Sequence, residues 1–362
     1  MRYLNYIIKI IVLLLGFTSN AQVLFHETFD TYPVGPITTD DKNLTPGYGG
    51  WVVYSYADRN KNNTYDVTPE VGRGNVFVTG SLNKYPGQGS GVKLMRFDIL
   101  DIWQKRTAGN NIFLFEYDAW LAPNIAIEGF NNGFALESKN LSTKYLFEMS
   151  SYGIPFKSDR TETNNGLMFT YYKLGSPKVV TVPLGVNNTR MYENFPYGRW
   201  FTVKLYIEYF YEMGVKTGAK VHLFVPDLYI LKSATLEVFE DVEILNLESG
   251  SAEEYHTIAK YDNIKITALK QMPDLKASVN ELISQKFTIY PNPASNLVTI
   301  TNNDNLSVQQ ITIYDTAGKQ LSTQTFNNQT EIQLNVENLA SGTYMLHIQT
   351  NQGVAVKKII KK

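Results

Sequence analysis

Between residues 23 and 270 apolar and polar positions alternate in short runs broken by Gly, Asn and Pro, the period-two pattern of strands. Residues 199–209 (RWFTVKLYIEY) place Phe201, Val203, Leu205, Ile207 and Tyr209 on one face. Trp200, Thr202, Lys204, Tyr206 and Glu208 fall on the other. Residues 112–121 repeat the arrangement, with Phe113, Phe115, Tyr117, Ala119 and Leu121 set against Ile112, Leu114, Glu116, Asp118 and Trp120. Read this way, the chain predicts strands at 23–30, 51–57, 75–82, 92–100, 111–121, 133–138, 144–150, 166–173, 178–184, 199–210, 219–225, 228–232, 235–240 and 257–269, with no long amphipathic helix. So many strands in one unit predict an all-β fold: a two-sheet antiparallel sandwich of jelly-roll type spanning 22–270. A polar stretch, 271–285 (QMPDLKASVNELISQ), is the expected linker. Beyond it FTIYPNPASNLVTI (287–300), ITIYDTAGKQL (311–321) and the run from 337 alternate again, predicting a small Ig-like β-sandwich at 286–362.

The first residues break this pattern. Arg2 and Lys9 precede an apolar run at 10–17, and Ser19, Asn20 and Ala21 supply a small-residue cleavage point before Gln22. Residues 1–21 therefore read as a signal peptide, because the apolar run is shorter than the ~20 residues that span a bilayer. The mature chain is expected to carry no transmembrane segment. A net charge of −1 removes the basic surplus that nucleic-acid binding needs. The absence of cysteine excludes disulfides, thiolate metal sites and a Cys nucleophile. Abundant Tyr (24) and Phe (19) fit a β-rich, secreted type of protein.

Candidate chemistry sits in two places. Asp58, Asn60, Asn62, Thr64 and Asp66 put an oxygen at every second residue, as a calcium loop does. Asn63 replaces the Gly of such a loop and Pro69 its terminal Glu, so an Asn-rich turn that satisfies itself is the other reading. The second place is the outward face of the two strands above. Glu116, Asp118 and Glu208 there lie beside Trp120, Trp200 and Tyr206. Rings that cover C–H faces, next to carboxylates that accept hydroxyl bonds, suit a sugar. The bland alternative is a solvated face on which Glu116 and Asp118 pair with Lys204 or Arg96.

Tyr290, Pro291, Asn292, Pro293, Gly318, Gly342, Thr343, Tyr344 and the closing Lys357, Lys358, Lys361 and Lys362 closely resemble the C-terminal sorting domain of proteins exported by the Bacteroidetes type IX secretion system. That resemblance implies Sec export, recognition at the outer membrane, removal of the sorting domain, and a released or surface-anchored mature chain. ETFDTYPVG (27–35), WFTVKLYIEY (200–209), KVHLFVPDLYI (220–230) and YDNIKIT (261–267) resemble concanavalin A-like jelly rolls, the superfamily of legume-type lectins and family-16 glucanases. ETFD with GGW (49–51) also resembles adhesin modules of Bacteroidetes surface proteins. These resemblances imply a non-catalytic, adhesin-like protein that binds carbohydrate or extracellular matrix. They also imply a structural calcium tying the first and last strands through Glu27, Asp30 and Asp262. The alternative is a glucanase-type hydrolase with Glu116 as nucleophile and Asp118 beside it, although Trp120 and Leu121 stand where the acid/base Glu is expected.

Overall fold

The computed structural model describes residues 21–56, 63–82, 90–122, 130–138, 145–155, 163–171, 180–183, 197–236, 240–251, 256–302, 306–329 and 331–362. Residues 1–20 of the expected signal peptide and the loop positions Asp58, Asn60 and Asn62 lie outside the described residues.

The first unit comprises β1 (Ala21–Glu27), β2 (Gly35–Pro36), β3 (Val52–Tyr56), β4 (Thr64–Glu70), β5 (Gly74–Leu82), β6 (Ser90–Arg96), β7 (Ile112–Leu121) and β8 (Phe130–Glu137). It continues with β9 (Tyr145–Pro155), β10 (Thr163–Tyr171), β11 (Val180–Pro183), β12 (Trp200–Glu212), β13 (Val215–Val225), β14 (Ile230–Leu236), β15 (Ile244–Ser251) and β16 (His256–Leu269). One sheet runs β14-β13-β12-β7-β16-β5-β4-β2, with β1 also on β16; the other runs β11-β10-β9-β8-β15-β6-β3. The pairings are antiparallel, as the alternating pattern predicts. The faces of β7 and β12 fall as expected. Phe113, Phe115, Tyr117, Val203, Leu205 and Ile207 are buried between the sheets with Phe134, Phe147 and Leu247 of the second sheet. Phe115, Tyr117 and Phe134 meet edge-on across the gap at 5.2 and 5.7 Å. The buried Tyr261 hydroxyl donates to the Glu248 carbonyl at 2.9 Å, so it reaches the core without an unpaired polar atom.

Several elements differ from the sequence expectation. Strands β4 and β15 were not expected, β14 replaces two shorter strands, and a short helix α1 (Ile99–Gln104) follows β6. The expected linker holds a helix, α2 (Leu275–Lys286). Leu275, Val279 and Ile283 form its buried stripe at i, i+4 and i+8, and the Asp274 carboxylate accepts the Ala277 N–H at 2.9 Å as N-cap. Asp274→Ala is expected to cost about 1 kcal/mol locally. Faster hydrogen exchange of the first α2 amides, with the sandwich amides unchanged, is the readout.

The second unit holds β17 (Phe287–Tyr290), β18 (Leu297–Asn302), β19 (Val308–Asp315), β20 (Gln320–Gln329), β21 (Glu331–Asn335), β22 (Gly342–Thr350) and β23 (Val354–Lys361). They form two sheets, β17-β18-β21 and β20-β19-β22-β23. The recurring motif residues act here as pins. Asn292 donates to the Lys358 carbonyl at 3.0 Å and accepts the Ile360 N–H at 2.9 Å, and the Tyr344 hydroxyl donates to Ala340 at 2.7 Å.

Candidate functional site

Strand β16 carries an irregularity between Asp262 and Lys265, where Asn263 adopts a left-handed φ of 51°. Along one edge of β16, β5 pairs with 256–261 and β1 with 264–269, so the irregularity falls where these two neighbours meet. Inserting a residue turns Asp262 and Asn263 to the same outer face, which a regular strand cannot do. Across the ladder Asp262 stands beside Asp118, and Asp118 beside Thr202.

Two neighbouring carboxylates need a cation. Arg73, from the turn between β4 and β5, supplies it: Nη1 lies 2.9 Å from both Asp118 and Asp262. Asn263 Nδ2 at 2.9 Å and the Thr202 hydroxyl at 2.7 Å complete the donors on Asp118. Burial raises the Asp262 pKa above the ordinary carboxylate range, opposed by the Asn263 N–H and by Arg73. The Arg73 guanidinium also lies 4.0 Å over the Trp200 ring, and Lys260 Nζ lies 4.5 Å over Trp120 while pairing with Glu70 at 2.6 Å.

Beside this cluster a depression of about 420 Å³ opens on the same sheet face, lined by Glu116, Thr202, Lys204, Asp227, Asn263 and Lys265, with Asp118 in its wall. Glu116 lies in register between Lys204 and Lys265, and Lys265 Nζ approaches it at 3.5 Å. A second hollow of about 320 Å³ lies across Arg73, reaching Thr28, Asp30 and Gly72. Acceptors and donors alternate along this groove, an arrangement that matches a hydroxyl-rich ligand better than an apolar one.

The sequence-predicted residues are therefore brought together only in part. Glu116, Asp118, Trp120 and Trp200 share one outer face, with Trp120 directly opposite Trp200. Both rings carry a cation rather than standing bare. Tyr206 lies on that face too but is only 5 % exposed, packed in an apolar cluster with Phe224 and residues of α2. Glu208 sits farther along β12 and meets His222, whose Nε2 is 4.0 Å away. Burial, then Lys220, lowers the His222 pKa, so that contact is no ion pair at neutral pH. Arg96 is occupied elsewhere, bound to Asp98 at 2.6 Å and stacked 4.3 Å over Phe25. Sequence reading missed Arg73, Asn263, Asp227 and Lys265 as members of the site.

Glu27 and Asp262, expected as calcium ligands, have other donors here. The Glu27 carboxylate accepts the Phe29 N–H at 2.7 Å, the Trp51 indole N–H at 3.1 Å and the Tyr32 hydroxyl. Asp30 accepts the Asn75 N–H at 2.8 Å. Asp66 is half-buried in β4, and desolvation raises its pKa. Among the described residues no group of three His, Asp or Glu side chains converges as a metal site.

The outer face of the second sheet holds a polar row that sequence reading also missed. Lys93 pairs with Glu248 at 3.1 Å, and Asn246, fully buried, donates to Glu137 while its Oδ1 has no partner. Gly133 and Ala135 of β8 stand in register beside Glu248 and Asn246, and both are buried like Asn246.

Fold and site together define a two-sheet β-sandwich protein with a polar groove on one sheet. Residues 288–362 match the family model described as "Secretion system C-terminal sorting domain". The chain thus carries a type IX sorting domain and is destined for the cell surface or the exterior, and no helix among the described residues is long and apolar enough to cross a membrane. No curated protein matches the sequence. Similar solved structures include an alginate lyase Aly36B variant in complex with alginate tetrasaccharide, at 8 % identity and TM-score 0.39, covering 68 % of this chain and 96 % of the other. The PL-14 alginate lyase of Aplysia kurodai follows at 9 % identity and TM-score 0.38, covering 68 % and 98 %. The CBM2 module of an evolved Dit protein from Lactobacillus casei BL23 phage J-1 has 12 % identity and TM-score 0.38, covering 70 % and 98 %. Likeness at that level speaks neither for nor against any activity.

Proposed function

We propose that the 22–270 unit is a non-catalytic, concanavalin A-like binding module that recognises carbohydrate, including glycans of an extracellular matrix, at the surface or outside the exporting cell. The alternation of donors (Lys204, Lys265, Asn263) and acceptors (Glu116, Asp227) along one groove carries this reading. A glycan array identifies the ligand. Glu116→Gln and Lys265→Ala are then each expected to weaken binding at least tenfold with the urea midpoint nearly unchanged, since both side chains are partly exposed. An array on which the protein binds nothing above background, either intact or cut between the 22–270 unit and the sorting domain, would sink the reading.

Spacing supports binding over hydrolysis. A retaining glycosidase needs its two carboxyls about 5–5.5 Å apart. Glu208 stands four residues along β12 from the partner of Glu116, about 13 Å away at the strand rise. Glu148, like Glu208 a carboxylate that would have to stand in for the missing acid, belongs to the other sheet. Asp118 is already held by three side-chain donors. Release of reducing sugar that Glu116→Gln abolishes would favour the hydrolase instead.

Calcium is proposed only for the loop from Asp58 to Asp66. Its test is whether adding calcium to chelator-treated protein raises the urea midpoint, and an unchanged midpoint ends that proposal.

A further inference from the structure

The outer face of the first sheet divides into two halves. One is the polar groove. The other carries Ile112, Leu114, Tyr206 and Phe224, all nearly buried although they point away from the sandwich interior. They do not join the core between the sheets. They belong to one apolar cluster with Leu275, Val279 and Ile283 of α2 and with the interior of the sorting domain. Tyr229, Leu231 and Met272 pack on its margin. The two halves touch: the Tyr206 hydroxyl is pushed up to about 12 by burial and then by the nearby Glu116 carboxylate.

The polar anchors of α2 tie it to the sorting domain. Asn280 Oδ1 accepts the Val354 N–H at 3.1 Å, and Ser284 Oγ accepts the Val356 N–H at 2.8 Å, both on β23. Gly353 leaves the space that Ile283 fills, since a Cβ there would meet Ile283 Cδ1 at 2.8 Å. Val279 and Ile283 of the apolar stripe thus lie against the sorting domain, and the sandwich joins them only through the shared apolar cluster. The connection just before the helix is open: Lys270, Gln271, Pro273 and Asp274 are exposed. A helix bolted to one unit, resting on the other through apolar contact, and preceded by an accessible strap is built to leave with the unit to which it is bolted.

We propose that α2 and the sorting domain form a detachable cover over the apolar half of the first sheet. Severing the chain at 270–273 releases residues 274–362 as one body. It uncovers Ile112, Leu114, Tyr206 and Phe224, and the groove gains an aromatic floor at Tyr206, beside Glu116, on which the C–H face of a sugar can lie. The full-length chain is then latent for ligand and the severed chain competent. The ligand part rests on the carbohydrate reading above; the cover itself does not.

The test uses the full chain with a specific protease site placed at 271–273. After cutting, the two pieces are expected to separate on size exclusion at micromolar concentration. Nitration of Tyr206, followed by mass spectrometry and assigned against Tyr206→Phe, is expected to rise at least tenfold. Phe224→Lys in the uncut chain, which leaves the core between the two large sheets untouched, is expected to raise the same labelling. Pieces that still co-elute with Tyr206 protected overturn the cover and make the contact a permanent interdomain core. A tenfold gain in glycan affinity on cutting supports latency. Separation and labelling with no glycan binding in either form overturn the carbohydrate reading and leave the cover standing.

Discussion

Arg73→Met is expected to destabilise the sandwich by about 2–3 kcal/mol at pH 7. Breaking a buried ion pair by removing one partner costs about 3–5 kcal/mol, and the 24 % exposure of the Arg73 side chain reduces that. What remains is Asp262, with a side chain only 4 % exposed, facing Asp118 in register with no cation between them. The pH dependence has a definite sign. Burial already raises the folded-state pKa of Asp262 above its unfolded value, and Arg73 opposes that rise. Without Arg73 the folded pKa climbs further. A group whose folded pKa is raised destabilises the fold while ionised, and that penalty fades as pH falls through the folded value. The gap between wild type and Arg73→Met is therefore widest near neutrality and narrows toward acid. Urea titrations of both proteins at pH 7 and pH 5 read it. The double variant Arg73→Met/Asp262→Asn removes the stranded charge and is expected to recover much of the loss at pH 7. Equal midpoints for wild type and Arg73→Met at pH 7 would show that water replaces the guanidinium without cost, and the cluster would not be what holds the turn between β4 and β5 to the sheet.

That cluster also marks the limit of what could be read along the chain. The faces of β7 and β12 were legible because strand alternation is a local property, and their inward residues lie where the pattern puts them. Ile112, Leu114 and Tyr206 point outward as expected yet are buried, because α2 and the sorting domain cover them, and alternation says nothing about a second unit. Strand β15 was missed because only Leu245, Leu247 and Ser249 turn inward, between acid-rich flanks that read as loop. Strand β4 was missed because Val67 is its one fully buried residue and Pro69 argues against a strand interior. Helix α2 did carry a signal, an Asp N-cap followed by apolar residues four apart, but a polar average over 271–285 concealed it. Arg73 lies 189 residues from Asp262 and comes from a turn, and Asn263 reaches Asp118 only because the strand is irregular there. No local spacing encodes either meeting. The ETFD and GGW motifs, by contrast, acquire a direct physical meaning: they are two halves of one lock.

That lock sets the other large expectation. Glu27→Ala is expected to cost about 3 kcal/mol, because Glu27 gathers three donors in a nearly buried place. The Phe29 N–H and the Trp51 indole N–H belong to fully buried residues, and the Tyr32 hydroxyl is the third. Each donor stranded in a buried site costs about 1–3 kcal/mol, moderated wherever water can enter beside Tyr32. Burial and then the Glu27 bond raise the Tyr32 pKa, as expected for a hydroxyl that donates to a carboxylate. Gly49, at φ 62°, belongs to the same lock: a side chain there would collide with the Tyr32 hydroxyl. Glu27→Gln keeps one acceptor oxygen but presents an NH₂ to the remaining donors, so roughly half the loss is expected. Trp51 fluorescence during urea unfolding reports both variants. The experiment also separates a lock from a metal site. If Glu27 works through its three donors, the deficit of Glu27→Ala is the same in calcium as in chelator. A deficit present in calcium and absent in chelator would mean that Glu27 serves a bound ion, and that the hydrogen bonds around it are what the carboxylate does when the ion is gone.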